Sequence, residues 1–213
     1  MRIDVFTLVP HAYAWLTEQR PVASVLGTEL ELRLFNYRDS TPLRAGQVDD
    51  EPYGGGAGMV LRVDVVAAAL EAVYAGEQPG PVVALSPKGR QLTQAVVEEL
   101  AARPTLTLLS ARFEGFDERI VANLATDAIS VGPYVLSNGD LPAMILLDAV
   151  ARRLPGALAE GSGELESFSE ELGGALEYPH YTRPAEFRGW NVPDVLLSGD
   201  HKRIDTWRRD NVR

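Results

Sequence analysis

Residues 130–156 read SVGPYVLSNGDLPAMILLDAVARRLPG, and this stretch decides the fold. Ile129, Val131, Tyr134, Val135 and Leu136 are apolar and predict a buried strand. Ser137-Asn138-Gly139-Asp140 predicts a tight turn, because Asn and Gly tolerate positive φ. Asp140 is placed to cap the helix that follows, and Pro142 fits a first turn, where its missing N–H is not needed. Leu146, Leu147, Val150 and Leu154 then recur at helical spacing, and Pro155-Gly156 stops the helix just after Arg152 and Arg153.

Working outward, residues 1–156 repeat this strand–turn–helix pattern. Strands are predicted at Arg2–Val9, Glu29–Phe35, Val82–Leu85, Thr105–Leu109 and Ala128–Val131. Helices are predicted around Ala12–Leu26, Val63–Tyr74, Leu92–Ala102, Asp117–Leu124 and Leu141–Arg153. Such alternation predicts an α/β fold, a mostly parallel sheet flanked by helices. Ligands of such sheets bind beyond the carboxyl ends of the strands. Loops Ser86–Gly89, Ser110–Gly115 and Ser137–Asp140 all follow predicted strands and should meet at that edge.

Composition narrows the function. The 213 residues suffice for one large domain, or one with a small appendage; 46% are hydrophobic and 23% charged, as in ordinary globular proteins. The chain has no cysteine, which excludes disulfides, thiolate chemistry and zinc–thiolate sites. MRIDVFTLVPHAY has Asp4 inside its apolar run and reads as a strand, not a signal peptide, and no run reaches the ~20 apolar residues of a membrane span. Tyr53 to Met59, YGGGAGM, is glycine-rich but matches neither the dinucleotide fingerprint nor a phosphate loop, so nicotinamide and triphosphatase chemistry are not expected. No His/Asp cluster has metal-ligand spacing, so no metal ligand is assigned. The net charge of −10 opposes nonspecific nucleic-acid binding, and a nucleic-acid enzyme of this balance must gather its cations locally. Arg183, Arg188, Lys202, Arg203, Arg208, Arg209 and Arg213 form one such cluster, interleaved with Glu186, Asp194, Asp200, Asp205 and Asp210.

Ser130–Gly156 resembles the bacterial tRNA (guanine-N1)-methyltransferases, the TrmD family of the SPOUT class. Four further blocks match in family order: Val48–Met59 (VDDEPYGGGAGM), Leu85–Gly89 (LSPKG), Ala111–Ile120 (ARFEGFDERI) and Tyr178–Arg208 (YPHYTRPAEFRGWNVPDVLLSGDHKRIDTWR). The resemblance implies a deep trefoil knot spanning roughly Val82 to Leu154, which no hydrophobic periodicity could show. It divides the chain into a knotted cofactor domain at 1–156, a linker at 157–177, whose Gly, Ser and Glu predict mobility, and a short helical tRNA-binding segment at 178–213.

The resemblance also implies roles. Leu85, Ser86 and Pro87 form one wall of an S-adenosylmethionine site, and Ala111, Arg112, Phe113, Glu114 and Gly115 a second. Val131, Gly132, Pro133, Tyr134, Val135 and Leu136, with Asn138, Gly139 and Leu141, form the third. Methylation at guanine N1 requires loss of the N1 proton while charge develops towards O6, so a carboxylate base and a guanidinium are needed. By resemblance these are Glu166, in a Glu166-Ser167-Phe168 run, and Arg152; a register shift would make Glu164 the base. Asp50, Tyr53, Gly55 and Gly56 are implied to contact RNA beside the partner subunit's active site, with Arg183, Lys202 and Arg208 contributing from the C-terminal segment. Magnesium, a homodimer, a tRNA partner rather than DNA, and a cytoplasmic location follow in the same way. The chain departs from the pattern where Ala111 and Asn138 replace glycines, Phe113 replaces Tyr and Glu166 replaces Asp, and it ends before the family's further C-terminal helices. Ala111 predicts weaker or shifted cofactor binding. These departures leave open a noncatalytic RNA- or S-adenosylmethionine-binding relative, or a knotted methyltransferase for another RNA.

Overall fold

The computed structural model describes residues 1–159, 162 and 166–213, which form two compact units, 1–158 and 159–213. In the first unit, strand β1 (Arg2–Thr7) leads through short helices α1 (Ala14–Glu18) and α2 (Val22–Val25) to β2 (Glu31–Asn36). A two-residue antiparallel ladder follows, β3 (Asp49–Asp50) on β4 (Val60–Leu61), and then α3 (Val63–Tyr74). The rest alternates: β5 (Val82–Gln91), α4 (Gln94–Ala101), β6 (Thr105–Leu109), α5 (Glu118–Asn123), β7 (Asp127–Ser130) and α6 (Asp140–Ala151).

Five strands form one sheet in the order β2-β1-β6-β5-β7, and every neighbouring pair is parallel. Alternation along the strands makes two cores. Ile3 and Val5, Leu106 and Leu108, and Val83 and Leu85 face α1, α2, α4 and α6 on one side. Phe6, Leu109 and Val82 face Val65, Val66, Ala69 and Ile120 of α3 and α5 on the other. This period-two division is what a sheet buried on both faces requires.

Three expectations need correction. The helix expected over Ala12–Leu26 is broken into pieces, because Pro21 lacks an N–H and restricts the residue before it. The strand expected to include Tyr134, Val135 and Leu136 ends at Ser130; Tyr134 and Val135 are exposed, and the chain beyond Ser130 is loop until α6. Asp140 does not cap α6. It is the first helical residue, Gly139 holds the cap position, and Asn138 Oδ1 accepts the Asp140 N–H at 2.9 Å.

The Asp140 carboxyl is buried instead. Its Oδ1 accepts from Thr7 Oγ1 at 2.6 Å, Ser110 Oγ at 2.8 Å and the Tyr13 hydroxyl at 3.2 Å. One side chain thereby ties the ends of β1 and β6 to the start of α6. Burial and the neighbouring Asp140 charge together push the Tyr13 hydroxyl far above the usual phenol range.

The second unit carries a hairpin, β8 (Glu186–Phe187) and β9 (Trp190–Asn191), then α7 (Asp194–Leu197) and α8 (His201–Asp210). Asp200 caps α8 by accepting the Arg203 N–H at 3.2 Å. Trp207 packs edge-on against Tyr178 and Tyr181, and His180 lies on Tyr178 while bonding Glu177 at 2.9 Å. Leu176 and Arg213 exchange backbone hydrogen bonds at 2.7 and 3.0 Å.

Candidate functional site

Because β5, β6 and β7 are parallel, the break inside β5 and the loops after β6 and β7 lie at one edge of the sheet. After Leu85 the chain loops out over Ser86–Gly89 and rejoins β7 at Arg90, so Ile129 opposes both Leu85 and Arg90. Gly89 is where it returns: a Cβ there would stand 2.4 Å from the Ala128 carbonyl, so no side chain fits. The loop after β7 folds back onto the loop after β6, where the Gly139 N–H donates to the Ala111 carbonyl at 2.7 Å. A Cβ on Gly139 would meet Ala111 N at 2.9 Å and Ser110 Cα at 3.0 Å. Gly139 has φ −82°, so close approach, not backbone freedom, demands glycine here. Positive φ falls instead on Phe113, at 61°, one residue from Arg112, and Ala111 is buried with an ordinary backbone.

These three segments line an open cavity of about 160 Å³. Leu85, Ser86 and Pro87 line it, as do Ala111, Arg112, Phe113, Glu114 and Gly115. Val131, Gly132, Tyr134, Val135, Leu136, Asn138 and Gly139 complete the third wall. Pro133 and Leu141 lie outside the lining, whereas Ile129, Ser130, Ser137 and Pro142 belong to it. Pro142 was legible only as a helix-start signal; its place on the wall comes from the loop folding back. Apolar side chains alternate with closely apposed backbone, which suits the face and edge of an adenine, so these residues fit S-adenosylmethionine.

A larger cavity, about 820 Å³, opens on the same unit and is lined by Asp50, Tyr53, Arg62, Asp64, Lys88, Asp117, Glu118 and Arg119, among others. Tyr53 is fully exposed, and Gly55 and Gly56, both at positive φ, lie beside the lining. Its cations are paired: Arg62 with Asp50 and Asp64, Lys88 with Glu118, Arg119 with Asp117. Hydrogen bonding from Arg62 holds the Asp64 carboxyl below its usual range, and Arg119 does the same for Asp117. The glycine-rich segment lies on the loop after β6, since the Glu114 N–H donates to Met59 O at 2.9 Å and the Leu61 N–H to Gly115 O at 3.0 Å.

Arg152 directly follows α6 in the first unit, and Glu166 belongs to the second. Glu164 lies outside the described residues. Around Glu166 the backbone is closed on itself: Ser169 N–H donates to Glu166 O at 3.0 Å, Phe168 N–H to Ala175 O at 2.8 Å, and Glu177 N–H to Ser167 Oγ at 3.1 Å. Among the C-terminal cations, Arg208 lies over the Tyr178 ring at 5.2 Å and pairs with Asp205 at 3.6 Å, while Arg183 and Lys202 are exposed. Among the described residues no three His, Asp or Glu side chains are grouped to hold a metal, so they form no magnesium cage. Nor is any helix among them long and apolar enough to cross a membrane.

The family profile described as tRNA (Guanine-1)-methyltransferase TrmD matches residues 1–213. The chain belongs to this family. Proteins named tRNA (guanine-N(1)-)-methyltransferase are similar over nearly its whole length. That of Dehalococcoides mccartyi strain CBDB1 is 46% identical over 211 residues, 98% of this chain and 84% of the relative. That of Brevibacillus brevis is 46% identical over 210 residues, 98% of this chain and 85% of the relative. The chain is thus a member of a methyltransferase family, and such a family uses S-adenosylmethionine.

Proposed function

We propose that the protein methylates N1 of the guanine at tRNA position 37, 3′ of the anticodon, using S-adenosylmethionine bound in the three-loop cavity. One observation carries this reading: in a chain matched to the family from end to end, the break inside β5 and the loops after β6 and β7 line one small, largely apolar, backbone-rich cavity. The domain division is 1–156 for cofactor, 157–177 for the linker and 178–213 for tRNA, and the first of these threads the family's trefoil knot. The tight backbone contacts at Gly89 and Gly139 support that threading. The enzyme acts as a cytoplasmic homodimer on tRNA rather than DNA. Leu141 and Ile145, one turn apart on α6, leave 52% and 45% of their surface exposed, an apolar stripe that a second copy would cover.

S-adenosylmethionine supplies an electrophilic methyl on a sulfonium. Glu166 removes the guanine N1 proton, and the freed N1 lone pair would take the methyl as its bond to sulfur breaks, with S-adenosylhomocysteine as the leaving group. The Arg152 guanidinium stabilises the negative charge that gathers on O6. Asp50, Tyr53, Gly55 and Gly56 contact the RNA near the target base, and Arg183, Lys202 and Arg208 hold its backbone. Magnesium enters the proposal from the family alone, and no group of described side chains would hold it.

The test is transfer of labelled methyl to an unmodified tRNA transcript with magnesium present. Glu166→Gln is expected to lower the rate about 100-fold or more with cofactor affinity retained, and a target-guanine-to-adenine transcript is expected to accept no methyl. Absence of transfer by the unsubstituted chain, with cofactor bound, would overturn the proposal.

A further inference from the structure

Arg62 occupies an unusual position at the larger cavity. It follows β4 directly, so the two-residue ladder with β3 sets it beside Asp50. Its fork is used on both sides. Nε and Nη2 donate to the two oxygens of Asp64 at 3.0 and 2.8 Å, and Nη1 donates to Asp50 Oδ2 at 2.8 Å. The other Asp50 oxygen accepts the Glu51 N–H at 3.0 Å. Both Asp50 oxygens are thereby held, yet each keeps a second lone pair, and the side chain is 53% exposed. A carboxylate fixed in this way is an acceptor ready for a ligand's donor edge. Surface ion pairs of this exposure contribute little to stability, so the three-residue arrangement is poorly explained as a staple.

The surroundings define the ligand class. Carboxylates outnumber cations around this cavity, and each cation already carries one, which disfavours a phosphate. A nucleobase edge that donates is favoured, and guanine offers N1–H and N2–H on one side while being acceptor-poor there. The exposed ring of Tyr53 adds a stacking surface.

We propose that Arg62, locked by Asp64, is a positioning residue that aims the Asp50 carboxylate at the exocyclic N2 amino group of a guanine in the bound RNA. This rests on the reading of the protein as a guanine-methylating enzyme. Lysine could not replace Arg62, because a single ammonium cannot hold Asp64 through two parallel bonds and Asp50 through a third.

The experiment compares transcripts in which inosine, which lacks the N2 amino group, replaces each guanine of the anticodon loop in turn, the target included. The unsubstituted protein is expected to prefer guanine at one position by about tenfold or more in kcat/KM. Arg62→Lys and Arg62→Met should reduce that preference to about threefold or less, while melting temperature and S-adenosylmethionine affinity stay near those of the unsubstituted protein. Asp50→Asn should remove the preference, and adding Arg62→Met to it should change nothing further. If Arg62→Met fails to fold, Asp64→Asn, which loosens the fork and keeps the cation, is read in its place. Full guanine preference in the Arg62 variants, or none in the unsubstituted protein at any position, would overturn the assignment. The same transcripts are also compared by equilibrium binding, which needs no chemistry. A protein that binds with guanine preference but transfers no methyl would therefore sink the enzyme reading and leave the Arg62 assignment standing.

Discussion

Gly139 shows how one residue can be read correctly as important and for the wrong physical reason. Its sequence context, Ser137-Asn138-Gly139-Asp140, signals a turn, and the obvious role is backbone freedom. The structure assigns it a right-handed backbone and a neighbour too close for any Cβ. Gly139→Ala must push the third cavity wall away from Ser110 and Ala111. An overpacked contact of this kind costs about 1–3 kcal/mol, so S-adenosylmethionine affinity should fall about tenfold or more by titration calorimetry. An unchanged affinity would mean that the wall takes no part in cofactor binding. The Ala111 departure is milder for the same reason: its methyl is buried with ordinary backbone angles, and the strained conformation sits on Phe113.

At the level of elements, legibility follows the range of the interaction. The helix at Val63–Tyr74 and the strand at Thr105–Leu109 were read with their observed bounds, because local periodicity alone sets them. The helix expected over 12–26 failed where Pro21 interrupts it, and the strand expected past Val131 failed where apolar residues line a loop wall instead of a sheet. Asp140 was read as a local cap, but its partners are 30, 127 and 133 residues away. No periodicity encodes that. Asp140→Ala would strand the hydroxyls of Thr7, Tyr13 and Ser110 in the core, and urea unfolding should show a loss of about 3 kcal/mol or more. A loss under about 1 kcal/mol would show that the hydroxyls find other partners. Asp148 on α6 behaves oppositely. Burial raises its carboxyl above the usual range, with Arg152 acting the other way. A raised folded-state value means that its stability contribution is present below the unfolded value and lost as pH rises through the folded one. Asp148→Asn should therefore raise the melting temperature at neutral pH, and the difference should vanish in acid. A lower melting temperature at neutral pH would contradict this.

Over the whole molecule, charge had to be resolved by region before it said anything. The chain carries −10, yet residues 178–213 hold seven basic against five acidic side chains. A repulsive body with a locally cationic end steers a polyanion to that end. The parallel sheet and the meeting of three segments at one edge followed from strand alternation, whereas the strand order and the two cavities depend on how distant segments fold onto each other, which sequence spacing does not contain. The cationic end is where the consequence can be measured. Each phosphate contact releases about one counterion, so the slope of log affinity against log salt counts the contacts. Lys202 is exposed on the first turn of α8, and Arg183 precedes the β8–β9 hairpin. Charge reversal at either, Lys202→Glu or Arg183→Glu, should weaken tRNA binding and lower that slope by about one, with S-adenosylmethionine affinity unchanged. If both reversals leave the slope as it is, these C-terminal cations do not hold the RNA backbone, and the phosphate contacts must come from the basic side chains of the first unit.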